Sequence, residues 1–140
     1  MTDKEFNVLK GKIDRIVKWW IKQSGLGWWR VAVEYEREDK ELDATGKYAL
    51  AAETTAKWQY LDATIIFNMR ALTERSLDDL EGTIVHELMH IFVNEMRERG
   101  LLHEERVATS LAKGFIWIRD AGKELGRQEI KKEQRQLLKP

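Results

Sequence analysis

The chain contains no cysteine. Disulfides are therefore excluded, and so is any metal site built on thiolates, which leaves histidine and carboxylate as the available metal ligands. It also lacks a charge of one sign, because 24 lysines and arginines are matched by 24 aspartates and glutamates. A balanced chain gives no electrostatic footing for nucleic acid or an anionic membrane as partner. No run of about 18 apolar residues is present to span a bilayer. The polar start Met1-Thr2-Asp3-Lys4-Glu5 is unlike a secretory signal, so the expected location is the cytoplasm. Internal repeats and low-complexity linkers are missing as well. What is present is 140 residues, 43% of them hydrophobic, enough for one core and one domain spanning 1–140.

Hydrophobic spacing gives an outline. Thr2 and Glu5 stand at capping-box spacing ahead of Phe6, Leu9, Ile13, Ile16, Val17 and Trp20, which recur at helical intervals. Ser24, Gly25 and Gly27 stop that helix. Trp29, Val31, Val33 and Tyr35 alternate with Arg30, Ala32 and Glu34, the period of a strand. Residues 36–47 read as a loop, Tyr48 to about Lys57 as a second strand, and Ala63–Asn68 as a third. The three are expected to form one short, mostly antiparallel sheet. Ser76 and Asp79 start a helix that should run to about Arg99, with Gly100 as its C-cap. A further helix should begin near His103 or Glu104, with Val107, Ala108, Leu111, Phe115 and Ile118 as its apolar face. From about residue 122 the chain becomes a highly charged helical tail. Trp19, Trp20, Trp28 and Trp29 are expected to serve core and hairpin packing.

The chemistry is concentrated in His86-Glu87-Leu88-Met89-His90. Only three histidines occur, and two of them flank a glutamate four residues apart. Positions i and i+4 share a helix face, so both imidazoles can reach one ion, and zinc accepts neutral imidazole nitrogen readily. Glu87, one step round the helix, is placed to act on a water activated by the metal without ligating it. The apolar neighbours Ile84-Val85 and Leu88-Met89 imply a buried helix, against the alternative of two solvated surface histidines. A catalytic site needs a third ligand and an open fourth position. Glu105, Glu104 and His103 are the candidates for that ligand. Small Ala108, three residues after Glu105, would allow close approach to the motif helix. Tyr48, Tyr60, His103 and Arg97 are candidates to stabilise an oxyanion. An extended peptide could pair with an edge strand beside the site, with Ala63–Asn68 or its neighbour in that role.

The stretch from Thr83 to Ala112 resembles the compact phage and prophage-type zinc metallopeptidases of the gluzincin group. Glu105 followed by Val107 and Leu111-Ala112 fits the glutamate phrase of that group. The order of N-terminal helix, short sheet and HExxH helix is that of minimal zincins. The resemblance implies an α+β, minimal zincin-like domain in which His86, His90 and Glu105 hold Zn2+. It implies hydrolysis of peptide bonds in a peptide or protein substrate, with Glu87 as general base. Thr109 stands where thermolysin-like enzymes carry an aspartate, which leaves the partners of the histidines unassigned. Met96 stands where metzincins carry a third histidine. A metal-binding regulatory or interaction domain with little or no turnover is the alternative reading.

Overall fold

The computed structural model describes residues 1–37, 50–94, 96, 99, 100 and 102–137. Helix α1 spans Asp3–Gln23, and its capping box forms as expected: the Thr2 hydroxyl accepts from Glu5 N while the Glu5 carboxylate accepts from Thr2 N. Ser24 ends it, and Gly25 at φ 79° supplies the left-handed turn that glycine adopts without steric cost. Strands β1 (Arg30–Glu36), β2 (Ala52–Lys57) and β3 (Asp62–Asn68) follow. A short α2 (Met69–Leu72), the motif helix α3 (Leu77–Phe92) and a long α4 (Glu104–Leu137) complete the order. Tyr48 and the loop expected up to Lys47 lie partly or wholly outside the described residues, as does Arg97.

The sheet corrects the expected topology. Its order is β1-β3-β2, with β2 antiparallel to β3 but β1 parallel to it. It is a mixed sheet, not a mostly antiparallel one. Period-two alternation identifies a strand and its faces but carries no direction, and β1 and β2 both pair with β3. The strand with the run Ile65-Ile66-Phe67 takes the centre, where both of its edges are paired. Ala63–Asn68 is therefore not an edge strand. Among the described residues, β2 is the edge on the α3 side.

One face of the sheet is packed against the helices. Ala52, Thr54 and Ala56 of β2 and Ala63, Ile65 and Phe67 of β3 are buried there, joined by Ile13, Val17 and Trp20 of α1 and by Ile84, Val85 and Leu88 of α3. Tyr35 stacks on Phe67 and its hydroxyl donates to Asp14, tying β1 to α1. The other face carries Arg30, Glu34, Glu53 and Thr55, which are exposed. The packing is a two-layer α+β arrangement.

Two helix expectations need correction. The motif helix ends at Phe92, not near Arg99, because Val93 leaves the helical region at φ −103°, ψ 10°. Gly100, at φ 62°, therefore caps no helix that contains the motif. On α4, Ala108 is buried and Val107, Leu111 and Phe115 pack half-buried on the core as expected, with Ala112 and Ile116 beside them, but Ile118 is 64% exposed and lies off that face. Alanine at two successive inward turns lets α4 approach α3 closely, and bulk alone is a poor guide to such a face. The charged segment beyond residue 122 continues the same helix to Leu137 without a break. Trp20 is buried as expected, while Trp28 is 87% exposed and Trp19 is also exposed.

Candidate metal centre

Ser76 sets the position of the motif by capping α3, its hydroxyl accepting from Asp79 N at 3.1 Å. From that start the apolar positions Leu80, Ile84, Val85, Leu88 and Ile91 are buried. Burying that stripe orients the polar positions between them: Glu87 faces β2, and His86 and His90 face α4. The rings of His86 and His90 lie 4.7 Å apart, edge to face, with their Nε2 atoms separated by 3.0 Å. Both glutamates of the first turn of α4 reach them. The Glu105 carboxylate lies 3.3 Å from His86 Nε2 and 3.4 Å from His90 Nε2. Glu104 lies behind, with Oε1 2.7 Å from His90 Nδ1. Thr109, one turn further along α4, places its hydroxyl 3.3 Å from His86 Nδ1.

A carboxylate only accepts, so His90 Nδ1 donates to Glu104, and in a neutral imidazole Nε2 then keeps a lone pair. The Thr109 hydroxyl can accept from His86 Nδ1 in the same way. Two imidazole lone pairs and a carboxylate then converge on one point, an arrangement that repels itself unless a cation lies between. The spacing fits one: four ligands at zinc bond lengths stand about 3.3 Å apart in a tetrahedron, against 3.0, 3.3 and 3.4 Å here. His86, His90 and Glu105 are the described residues brought together as a possible metal-holding group. Helix dipoles act in the same sense, since the C-terminal turn of α3 favours a cation and the N-terminal turn of α4 favours its glutamates.

The site is closed on one side and open on the other. The side chain of His90 is 5% exposed and that of Glu105 is 72% exposed. Glu87 is buried against β2, where its carboxylate accepts from the Thr54 hydroxyl at 2.7 Å. Glu87 does not belong to the converging group.

The other candidates are placed as follows. Glu104 contacts the far nitrogen of His90. His103 is exposed, lies outside the converging group, and takes a left-handed φ of 75° just before α4, with its carbonyl accepting from Val107 N. Tyr60 is 69% exposed in the turn beyond β2. Thr54 and Thr109 were not legible as site residues in the sequence, and Glu104, a candidate ligand there, meets His90 Nδ1 instead. The signal for Thr54 was faint: a lone hydroxyl between two alanines on the inward face of a strand. Among the described residues, no helix is long and apolar enough to cross a membrane. Comparison of the chain with known protein families, with curated proteins and with solved structures finds no match.

Proposed function

We propose that the protein is a zinc-dependent metallopeptidase of the gluzincin type, with His86, His90 and Glu105 as metal ligands and Glu87 as general base. The observation that carries the reading is the convergence of two imidazole Nε2 atoms and one carboxylate, 3.0–3.4 Å apart, beside a buried glutamate that stays out of the cluster. Zinc held there would polarise a substrate carbonyl and lower the pKa of water toward neutrality.

The chain's own groups do the remaining work. Glu104 and Thr109 hold the imidazoles in the tautomers that present Nε2. The Glu87 carboxylate takes a proton from the attacking water and passes it to the leaving amine. The exposed side of the cluster, at Glu105, leaves room for substrate. Among the described residues strand β2 is an edge strand, and an extended peptide pairing along it would bring a backbone carbonyl toward the histidines.

Metal content measured on protein purified without chelator tests the reading, together with hydrolysis of a mixed peptide pool. The expected result is about one zinc per chain, lost in His86→Ala and His90→Ala. Glu87→Gln should keep the metal while hydrolysis falls about 10²- to 10⁴-fold. Wild-type protein that binds metal but cleaves nothing, or a Glu87→Gln protein with full activity, overturns the peptidase assignment. Absence of metal overturns the site.

A further inference from the structure

We propose that Thr54 is a positioning residue that fixes the Glu87 carboxylate in its working orientation. The inference rests on the reading of Glu87 as general base and deepens it. Strand β2 turns Ala52, Thr54 and Ala56 inward. Thr54 is the polar one of the three, and it is 3% exposed. A hydroxyl buried there costs free energy unless it has a partner, whereas valine, of the same shape, would have none to find. Glu87 is such a partner. The Thr54 hydroxyl lies 2.7 Å from Glu87 Oε2 and 3.2 Å from the Glu87 backbone carbonyl.

The chemical consequence follows from the number of acceptor sites. A hydroxyl has one proton to give, and the shorter contact is to the charged acceptor, so the carboxylate takes the larger share. One oxygen of Glu87 is thereby held toward the strand and the plane of the carboxylate is set. The other oxygen is left as the proton acceptor. The same contact restrains Glu87 from swinging onto the cluster next to it. Glu87 follows His86 directly in the chain, yet it is not among the converging ligands. A free carboxylate one residue from a ligand could otherwise occupy the open coordination position.

A structural role alone would make Thr54 exchangeable for any side chain of its volume.

The test compares Thr54→Val, which keeps the shape and removes the donor, with Thr54→Ser, which keeps the donor; Thr54→Ala, which admits water, stands in if the valine protein does not fold. The first readout needs no turnover. In metal-free protein, the carboxyl ¹³C resonance of Glu87, assigned through Glu87→Gln, should shift or broaden in Thr54→Val and stay at the wild-type position in Thr54→Ser. The second is peptide hydrolysis by zinc-loaded protein. There kcat should fall about 10- to 100-fold in Thr54→Val, with KM and zinc stoichiometry unchanged, and return in Thr54→Ser. An unmoved Glu87 resonance in both donor-free variants overturns the proposal, as does a valine variant with wild-type kcat. If wild-type protein binds zinc without hydrolysing peptides, the peptidase reading fails while the resonance still decides whether Thr54 holds Glu87.

Discussion

The two ends of the α3–α4 interface both hold acidic side chains against the facing helix, and they balance their charge differently. Near the start of α3, Glu81 accepts from Trp20 Nε1 at 2.8 Å and from the guanidinium of Arg119 on α4. Arg119 also lies over the Trp20 ring, 5.5 Å from its centroid. Burial works against the charge on Arg119, but its bonds to Glu81 and Asp120 outweigh that and raise its pKa. This end closes its own charge balance with a permanent cation and acts as glue between α1, α3 and α4. At the other end, Glu104 and Glu105 are met by two imidazoles, whose useful form for metal binding is neutral. A carboxylate answered by arginine is a structural feature. A carboxylate and two imidazole lone pairs that face one point are an arrangement that could hold a metal.

The largest effect that would sharpen this contrast comes from the residues behind the histidines. Glu104→Gln can still meet His90 Nδ1 but loses the charge, and Thr109→Val loses its contact with His86 altogether. Each should weaken zinc affinity about 10- to 100-fold without abolishing binding, as partners behind metal ligands do. Competition against a chelator of known affinity measures it. Unchanged affinity in both variants would mean that the histidines are oriented by α3 alone. The two-helix description of the centre would then fail.

How much of this was legible beforehand differs along the chain for physical reasons. The caps at Thr2 and Ser76 are local chemistry, set by residues three apart, and both form as their spacing predicts. His86 and His90 share a helix face by geometry alone, and they converge. Strand direction is not local. The parallel pairing of β1 with β3 depends on where the chain returns after residue 37, which no periodicity encodes. The exit of the motif helix at Val93 was masked because Met96 continues an apolar spacing past the break. The partners of the histidines were hidden for a related reason. Glu104 and Thr109 are ordinary helix residues until α4 is laid against α3, and Thr54 lies 33 residues from the carboxylate it contacts.

The next effect belongs to the other end. Arg119→Met keeps much of the packing over Trp20 but leaves Glu81, whose side chain is only 20% exposed, without its cation. A lost charged hydrogen bond of this kind should cost about 1–3 kcal/mol of stability, read by urea denaturation. Zinc affinity should not change, because the two ends lie at opposite ends of α3. A drop in metal affinity would break the comparison and show that the charge pair near the start of α3 helps to set the ligand geometry near its end.

The smallest effect tests whether the arginine end behaves as plain electrostatics. Asp120 accepts from Arg119 Nε at 2.9 Å. That bond holds the Asp120 carboxyl below its ordinary value of 3.8, opposed by slight desolvation and aided by the charges of Arg119 and Lys123. A carboxyl with a lowered folded pKa stabilises the fold above its unfolded value, and the contribution is lost as pH falls through the folded one. Asp120→Asn should therefore be slightly less stable than wild type at neutral pH. The difference should shrink as pH drops below 3.8 and disappear once Asp120 is protonated in both states. Because the group is solvent-exposed, added salt should remove most of the difference even at neutral pH. A gap that persisted in acid or in high salt would place the effect of Asp120 in packing, and the arginine end would then be more than a charge clamp.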